Sequence, residues 1–296
     1  IFRFLSLIMR IFKKISDLRS FIQEAKSQGK TIGFVPTMGA LHAGHLHLVT
    51  QAKQKADIVV ASIFVNPTQF GKNEDLSKYP RKETEDIAKL TETGCDAVFL
   101  PKIEEIYPSG SGHEPSNKIA PSDIEKYYNI LCGAFRPGHF AGVVQVVSRL
   151  FNIVTPDIAV FGEKDFQQLF IIKKLAEDIK NIQTIGVPTI RDEYGLALSS
   201  RNVYLSDDEL AIARKLNVFI KKKLQNLKSA GISSISNNDK TELLSLGFTR
   251  VDYIEFRNSL TLEIEKQYTP QTRIFAAAYI GKTRLIDNLG VKELLQ

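Results

Sequence analysis

The chain has 296 residues, 43% of them hydrophobic, and its 39 lysines and arginines against 33 aspartates and glutamates give a formal charge of +6. This length supports a sizeable core and favours two domains, and the small positive excess suits anionic small substrates better than nucleic acid. The two cysteines lack metal-ligand spacing and no apolar stretch reaches the ~20 residues that cross a bilayer, which excludes a disulfide framework and a membrane span and favours a cytoplasmic location.

Three segments are set apart from the predicted elements. Residues 1–8 form a short apolar run without a cleavage site, and Met9 followed by Arg-Ile-Phe-Lys-Lys is a more natural start, so we expect residues 1–8 to be an upstream or artificial extension. The polar loop at 108–121 is as compatible with a lid as with a plain surface excursion. A Ser/Asn-rich connection spans residues 233–239.

Short β-branched runs alternate with amphipathic stretches over most of the first two thirds of the chain. Continuous apolar strands separated by helices are typical of a parallel sheet, so residues 9–190 are predicted to form a Rossmann-like α/β nucleotide-binding domain with ligands at the carboxyl ends of the strands. The predicted strands are Thr31–Val35, Ile58–Val65, Ala97–Leu100, Ile158–Phe161 and Thr184–Val187. The predicted helices are His45–Ala56, Lys82–Thr93, Phe140–Val154 and Phe166–Ile179.

The character of the chain changes after Arg191, and residues 191–296 are predicted to form a smaller, lid-like α+β domain. Ser206 is a good N-cap for its first helix, with acidic residues in the following turn. The predicted elements here are a helix at Ser206–Asn226 and strands at Val251–Arg257 and Thr272–Ile280.

The segment from Gly33 to Leu46 places two histidines in an H-x-G-H pattern directly after the first predicted strand. A helix that begins at His45 after a glycine-bearing turn would bind an anion through free backbone N–H groups and the helix dipole. His42 and His45 can add hydrogen bonds to phosphate oxygens, and Gly39 and Gly44 let a nucleotide approach the backbone. The motif alone is equally compatible with a buried turn that carries two incidental histidines.

Amide side chains follow the second predicted strand, where Pro67 begins a turn between Asn66 and Gln69. These uncharged, donor-rich groups suit a hydroxy-acid substrate, and an ordinary turn is the alternative interpretation.

A glycine, a lysine and an aspartate follow the fourth predicted strand. Gly162 permits close approach of a ligand, Lys164 offers a cation for phosphate, and Asp165 suits a helix cap, a ribose or a hydrated Mg²⁺. Either Gln167 or Gln168 points towards the crevice. A simple capped helix start would explain Asp165 but not Lys164 beside a glycine.

A further loop, Ser199-Ser200-Arg201, lies where the two predicted domains meet. Two hydroxyls and a permanently charged guanidinium are suited to bind phosphates from the far side of a nucleotide. Ser-Ser-Arg by itself is a weak motif.

Together these segments resemble the pantothenate synthetase (pantoate–β-alanine ligase) family of the H-I-G-H nucleotidyltransferase superfamily. The resemblance runs from about Met9 to the C-terminus, and the order and spacing of its motifs are specific. The motifs are Pro36-Thr-Met-Gly-Ala-Leu-His-Ala-Gly-His, Phe64-Val-Asn-Pro-Thr-Gln-Phe, Arg136-Pro-Gly-His-Phe-Ala-Gly-Val, Gly162-Glu-Lys-Asp-Phe-Gln-Gln and Leu198-Ser-Ser-Arg.

The resemblance implies a ligase that condenses (R)-pantoate with β-alanine in pantothenate biosynthesis. ATP and Mg²⁺ take part, pantoyl adenylate is the intermediate, and AMP and pyrophosphate are released. The resemblance also implies a homodimer.

The resemblance assigns roles to matching positions of this chain. The catalytic set is His42, His45, Lys164 and Arg201. The ATP-binding set is Met38, Gly39, Ala40, Leu41, His42, Ala43, Gly44, His45, Gly162, Glu163, Lys164, Asp165, Ile190, Leu198, Ser199, Ser200 and Arg201. The set for pantoate and β-alanine is Asn66, Gln69, Arg136 and Gln168. No protein metal site is predicted apart from a possible contact of Asp165 with the Mg²⁺ that accompanies ATP.

The alternative interpretations are another H-x-G-H nucleotidyltransferase or acid-adenylating enzyme, including a relative of the aminoacyl-tRNA synthetases. A synthetase should carry a K-M-S-K-S-type loop and an RNA-binding appendage, and neither is evident here. A nucleic-acid-binding protein should show a clustered basic face with interleaved aromatic residues, whereas the basic residues here are spread among acids.

Overall fold

A six-stranded parallel sheet forms the larger part of the fold and confirms the predicted Rossmann-like architecture. The computed structural model describes residues 9–72, 74–109, 123–179, 182–230 and 237–294, without the side chains of 228–230 and 237. The strands of this sheet are β1 (Arg10–Phe12), β2 (Ile32–Thr37), β3 (Ile58–Ile63), β4 (Ala97–Phe99), β5 (Ile158–Gly162) and β6 (Gln183–Val187). The predicted extension 1–8, most of the loop 108–121 and part of the connection 233–239 lie outside the described residues.

The strand order β1-β4-β3-β2-β5-β6 places a topological switch between β2 and β5. From β2 the chain proceeds through β3 and β4 towards one edge, and β5 starts again on the other side of β2. In such sheets a crevice forms at the carboxyl ends of the two strands at the switch. The H-x-G-H motif follows β2 and the Lys164 motif follows β5, so the topology brings both motifs to one crevice.

The helices of the described residues are α1 (Ile15–Ser27), α2 (Ala43–Lys53), α3 (Glu83–Glu92), α4 (Ile103–Ile106), α5 (Cys132–Phe135), α6 (His139–Val154), α7 (Phe166–Ile179), α8 (Asp207–Ala230), α9 (Asn237–Ser245) and α10 (Val291–Leu294). The bounds of α7 are those predicted. Among these helices, none combines the length and the apolar character that a bilayer crossing requires.

Two elements near the amino terminus were not predicted. Strand β1 has only three residues, exposed or half-buried, and such a short edge strand gives no clear alternation in sequence. Helix α1 follows Lys14, which makes no side-chain cap hydrogen bond, so the usual start signal is missing.

The prediction that α2 begins at His45 is wrong, because the helix begins at Ala43 and His42 is its N-cap. The His42 side chain accepts the Gly44 N–H, and the His45 side chain accepts the His42 N–H. This reciprocal pattern is usually made by Ser or Thr with Glu or Gln. Histidines in both positions were therefore not recognised as a helix start.

Strands β7 (Arg250–Asn258), β8 (Thr272–Ile280) and β9 (Thr283–Gly290) form a second, antiparallel sheet. Both predicted strands lie in this sheet, as β7 and β8. Strand β9 was not predicted because Asp287 and Asn288 interrupt its apolar pattern, although both are buried in the fold.

Strand β8 is buried on both faces and separates two apolar clusters. Phe275 and Ala277 pack into the core of the large sheet, whereas Ile274, Ala276 and Ala278 pack with residues of α8. This alternation follows from the two-residue period of a strand. Because the core of the large sheet includes residues from both sides of residue 190, the domain division there stays a prediction.

Candidate active site

A cleft at the carboxyl ends of β2 and β5 contains most of the predicted site residues. It consists of two adjoining cavities of about 220 and 630 Å³, which share Arg136, Lys164, Asp165, Ser199 and Arg201. The further predicted residues that line the smaller cavity are Met38, His42, Gly44, His45, Asn66, Gln69, Gly162, Gln168, Ile190, Leu198 and Ser200. Motifs that are far apart in sequence therefore meet in one place.

Some predicted ATP-site residues do not line either cavity, namely Gly39, Ala40, Leu41, Ala43 and Glu163. The expected free N–H groups are not present at Ala40 and Leu41, because both donate to the buried Asp86 carboxyl, at 2.8 and 2.7 Å. The Glu163 carboxylate faces Arg273 of the small sheet at 3.6 Å, and burial raises the pKa of Glu163.

The cap hydrogen bonds determine which nitrogen of each motif histidine carries the proton. Nδ1 of His42 accepts the Gly44 N–H at 3.2 Å, and Nδ1 of His45 accepts the His42 N–H at 3.4 Å. Because a neutral imidazole has one donor and one acceptor nitrogen, we assign both protons to Nε2. The ring centroids are 4.1 Å apart, so two Nε2–H donors lie side by side in the wall of the cavity.

Both histidines are uncharged near pH 7. Burial and, to a smaller extent, the Lys164 charge lower the pKa of His42 to about 4. Burial also lowers the pKa of His45 to about 3, with a further contribution from His42. The pair therefore offers hydrogen-bond donors, and the positive charge in this part of the cleft comes from Lys164.

The cap geometry requires Gly44. A Cβ atom at this position would lie 2.9 Å from Cε1 and 3.0 Å from Nδ1 of His42. Contacts this short would displace the ring from the Gly44 N–H and remove the cap. The glycine of H-x-G-H therefore follows from the position of the first histidine.

Asn66 is buried, and its amide is satisfied by the protein. Its Nδ2 donates to Oε1 of Gln69 at 3.1 Å and to the Gly142 carbonyl at 3.2 Å, and its Oδ1 accepts from the Tyr107 hydroxyl at 2.8 Å. Asn66 thus orients Gln69, whose Nε2 lies 2.9 Å from Sδ of Met38.

His139 was missed from the sequence, and it connects two predicted residues. Its Nδ1 lies 2.8 Å from the Gln69 carbonyl oxygen, and its Nε2 lies 2.9 Å from a guanidinium nitrogen of Arg136. Because arginine only donates, Nε2 accepts and Nδ1 donates to the carbonyl. Burial and the Arg136 charge lower the pKa of His139 to about 4. The feature of the sequence that could have identified His139 is its position three residues after Arg136, within the motif Arg136-Pro-Gly-His.

Both predicted arginines are engaged by one acidic pair, Glu74-Asp75, which the sequence analysis did not single out. Arg136 makes a bidentate ion pair with Glu74 at 2.7 and 2.6 Å, and Arg201 makes one with Asp75 at 2.9 and 2.7 Å. Burial alone would raise the pKa of these carboxyls, but the arginines outweigh it and hold both below their usual values. The carboxylates of Glu74 and Asp75 therefore occupy the guanidinium N–H groups that a phosphate or carboxylate group of a substrate would bind.

Lys164 and Asp165 lie on a 3-10 turn (Glu163–Asp165) between β5 and α7. Asn288 of β9 holds this turn by donating to the Glu163 and Lys164 carbonyls at 3.0 and 2.9 Å. The Lys164 Nζ lies 3.7 Å from the Asp165 carboxylate. Burial would raise the pKa of Asp165, but the charges of Lys164 and Arg201 hold it below its usual value.

The structure distinguishes the two glutamines of α7. Gln168 lines the cavity. Gln167 is buried, and its amide binds three backbone groups, those of Tyr127, Ile130 and Cys132. Gln168 is thus the glutamine of the pair that faces the cavity, and its contact with substrate stays a prediction.

The loop that precedes α8 reaches back to the H-x-G-H turn. The Ser200 hydroxyl donates to the Ala40 carbonyl at 3.0 Å, and the Ser199 hydroxyl accepts the Arg201 N–H at 3.3 Å. These contacts join the loop to the H-x-G-H turn, and both serines and Arg201 line the same cavity as the histidine pair.

Sheet topology, the histidine-capped helix and the cation-lined cleft at the β2/β5 switch define an α/β enzyme of the H-x-G-H nucleotidyltransferase type. The chain belongs to the pantoate–β-alanine ligase family, whose model matches residues 10–290. Membership makes it a ligase that joins pantoate to β-alanine.

Known members of this family are similar to this chain over nearly its whole length. The pantothenate synthetase of Stutzerimonas stutzeri is 48% identical over 95% of this chain and 97% of its own length, and that of Hydrogenovibrio crunogenus is 47% identical over 95% and 99%. A solved Thermus thermophilus pantothenate synthetase is 37% identical, with a TM-score of 0.85 over 97% of this chain and 99% of its own. A Francisella tularensis pantoate–β-alanine ligase, complexed with beta-gamma ATP and β-alanine, is 37% identical with a TM-score of 0.76 over 95% and 97%.

Proposed function

We propose that the cleft first makes pantoyl adenylate from ATP and (R)-pantoate and then transfers the pantoyl group to β-alanine, with AMP and pyrophosphate as the other products. The observation that carries this proposal is the pair of Nε2–H donors of His42 and His45 beside Lys164, at the crevice where α/β sheets bind nucleotides. The Francisella ligase complexed with beta-gamma ATP and β-alanine supports ATP as the co-substrate.

In the first step the pantoate carboxylate attacks the α-phosphorus of ATP, and the bond from that phosphorus to the pyrophosphate oxygen breaks. A carboxylate is already a nucleophile at pH 7, so the protein needs no strong general base. It must align the groups and stabilise charge that develops on the phosphates. We assign this work to the histidine pair, to Lys164 and to the loop residues Ser199, Ser200 and Arg201, all of which line the same cavity.

The neutral state of the histidines defines what they can do. With a pKa of about 3, His45 is not an imidazolium acid near neutrality, so it assists pyrophosphate departure by donating a hydrogen bond from Nε2. His42 donates in the same way. The positive charge that the triphosphate needs comes from Lys164 and, after its ion pair with Asp75 opens, from Arg201.

Pantoate is held by amides from the turn after β3 and from the first turn of α7. Gln69 and Gln168 contact its hydroxyl and carboxyl groups, and Asn66 acts through Gln69, because its own amide is already engaged. Arg136 binds a further substrate anion once Glu74 leaves its guanidinium. In the second step the β-alanine amine attacks the pantoyl carbonyl carbon, the bond to the AMP oxygen breaks, and the amine releases a proton.

Mg²⁺ fits this cleft as a partner of ATP. Among the described residues there is no cluster of three or more His, Cys, Asp or Glu side chains that could hold a metal ion. Mg²⁺ that accompanies a nucleotide is held mainly by phosphates and water. Asp165, half exposed in the cleft and kept ionised by neighbouring cations, is the residue that would contact its hydration shell. When bound, the ion neutralises phosphate charge.

We also propose that the chain works as a cytoplasmic homodimer, as the family resemblance implies. Sedimentation velocity of the purified protein tests the dimer directly, and a single species at the monomer mass would refute it.

The proposed reaction is tested by exchange of labelled pyrophosphate into ATP, with Mg²⁺ and without β-alanine. We expect exchange only when (R)-pantoate is present, followed by formation of pantothenate and AMP when β-alanine is added. Exchange with a different carboxylic acid and none with pantoate would favour the alternative, an enzyme that adenylates another acid.

A further inference from the structure

The turn that precedes the histidine pair has an unusual backbone. Gly39 and Ala40 both have positive φ angles, 80° and 50°. Glycine adopts this left-handed conformation freely, but for alanine it is strained. A Cβ atom at Gly39 would also lie 3.1 Å from Oδ2 of Asp86. This turn therefore needs stabilising contacts from other parts of the chain, and the contacting groups must lie close to the turn backbone.

That support comes largely from α3. Asp86 is completely buried, and its two carboxyl oxygens accept the N–H groups of Ala40 and Leu41 at 2.8 and 2.7 Å. One helical turn further, the Lys89 ammonium donates to the Leu41 carbonyl at 2.7 Å. With the Ser200 hydroxyl on the Ala40 carbonyl, every polar backbone group of these two residues is engaged.

The position of this turn determines where the imidazoles lie. His42 is the next residue after Leu41, it caps α2, and its N–H donates to His45. A rotation of the Leu41 peptide would therefore move the His42 backbone and both cap hydrogen bonds. Neither Asp86 nor Lys89 lines the two cavities, so each acts through the turn and not on a ligand.

The buried carboxyl also determines which groups are left for the phosphates. Successive N–H groups in a turn of this kind form a concave anion site. Here the Asp86 carboxyl group takes the place of such an anion, because it accepts the N–H groups of Ala40 and Leu41. The donors that remain towards the cleft are the Nε2–H groups of His42 and His45, with Lys164.

We propose that Asp86, assisted by Lys89, is a positioning residue for the adenylation step: it holds the Gly39–Leu41 turn so that both imidazoles present Nε2–H to the triphosphate. This inference rests on the proposed roles of His42 and His45. It assigns to α3 a function in the first half-reaction only, since the second half-reaction proceeds from an adenylate that has already lost pyrophosphate.

Asp86→Asn tests the inference with the smallest change of shape. An asparagine offers one acceptor oxygen and places an NH₂ group against the second backbone N–H, so the turn must shift. We expect the pantoate-dependent ATP–pyrophosphate exchange rate to fall about 10²-fold, the size of effect that a displacement of about 1 Å can cause. We expect the rate of pantothenate formation from supplied pantoyl adenylate and β-alanine to fall less than about 3-fold, because that step does not use the pyrophosphate contacts.

Lys89→Met provides a second test if Asp86→Asn fails to fold, with an expected loss of about 10-fold in exchange and the same selectivity for the first half-reaction. Glu85→Gln is the matched control, since Glu85 precedes Asp86 on α3, is exposed and pairs with Lys82 at the surface.

Wild-type exchange in Asp86→Asn, or in Lys89→Met when the first variant does not fold, would overturn the inference. An equal loss of rate in both half-reactions would also overturn the inference, because it would show that the residue has only a structural role. His45→Ala, measured alongside, separates the two proposals: wild-type exchange in that variant would refute the histidine roles themselves.

Discussion

At the scale of single residues, the site depends on how the two motif histidines are used as a helix cap. Each Nδ1 is committed to a backbone N–H, and burial keeps both rings neutral. The same hydrogen bonds that begin α2 therefore set the tautomers that face the cavity. A cap residue is usually a structural feature, and here it also fixes the tautomers of two imidazoles that line the cavity.

Replacing His45 or Lys164 by alanine should slow the adenylation step strongly. Each change removes a polar contact that strengthens as charge develops on the leaving pyrophosphate, so we expect a loss of about 10²–10³-fold in kcat, equivalent to about 3–4 kcal/mol. The measurement is pantoate-dependent exchange at saturating substrates. His47→Ala is a suitable control, because His47 lies outside the two cavities. Near-wild-type turnover of either site variant would contradict its assigned role.

The buried histidines should make stability depend on pH in a defined window. The pKa values of about 4, 3 and 4 for His42, His45 and His139 lie below the unfolded value of 6.5, so the unfolded chain binds more protons as the pH falls through that range. We expect the free energy of unfolding to be constant with respect to these groups above pH 7 and to decrease from pH 6.5 towards 4, by on the order of 1 kcal/mol per pH unit for each histidine.

Urea unfolding at pH 7.5, 6.5 and 5.5 checks this expectation. The His139→Gln variant should show a shallower loss of stability over the same range, since one of the three groups is gone. A free energy of unfolding that rises between pH 6.5 and 5.5 would contradict the neutral assignment of the three rings.

At the scale of elements, the segment between β3 and α3 carries both substrate-facing and competing groups. Asn66 and Gln69 lie at its start, and Glu74 and Asp75 reach across the cleft to Arg136 and Arg201. A bidentate carboxylate resembles a phosphate edge in geometry and charge. The segment therefore satisfies both guanidinium groups in the structure, and under the proposed function a substrate anion replaces its carboxylates.

Asp75→Asn should lower the KM for ATP, because the substrate no longer has to break a bidentate ion pair to reach Arg201. The pair is about one quarter exposed, so we expect a change of roughly 3–5-fold, near the strength of a partly screened ion pair of about 1 kcal/mol. Steady-state kinetics with varied ATP provide the measurement. Asp178→Asn on the exposed face of α7 serves as control, and a raised KM in Asp75→Asn would show that Asp75 itself contributes to binding.

At the scale of the whole molecule, the smaller sheet completes the cleft of the larger one. Asn288 of β9 holds the turn of Lys164 by donating to the Glu163 and Lys164 carbonyls, and Arg273 of β8 lies 3.6 Å from the Glu163 carboxylate. Phe275 and Ala277 of β8 are members of the larger core. Each half of the molecule thus depends on the other for packing and for the geometry of the site.

A chain truncated to residues 9–190 should not form pantothenate. It lacks the Ser199–Arg201 loop and the Asn288 contacts, and it would expose apolar surface that β8 now covers. A reactive adenylate also requires a closed site that excludes water. The measurement is pantothenate yield from ATP, pantoate and β-alanine, with circular dichroism to confirm folding. A normal yield from the folded fragment would contradict the prediction.

Local sequence pattern was sufficient to predict much of the fold and of the candidate site. The parallel sheet, α7 and the four motifs that line the cleft were predictable, because apolar periodicity and the chemistry of neighbouring residues are visible in a single stretch of sequence. Elements without such a signal were missed. They include the three-residue β1, the uncapped α1 and β9, whose buried Asp287 and Asn288 find their partners only in the folded chain.

The sequence by itself determined which residue types are available to the site and in which order the strands and motifs occur. Only the tertiary structure decided how they are used. Asp86 lies 46 residues after Ala40 in the chain, yet its carboxyl accepts the backbone N–H groups of Ala40 and Leu41, two residues that the family resemblance assigns to ATP binding. Hydrogen bonds of this kind depend on which strand ends and helices the topology places together, and residue spacing along the chain does not record that arrangement.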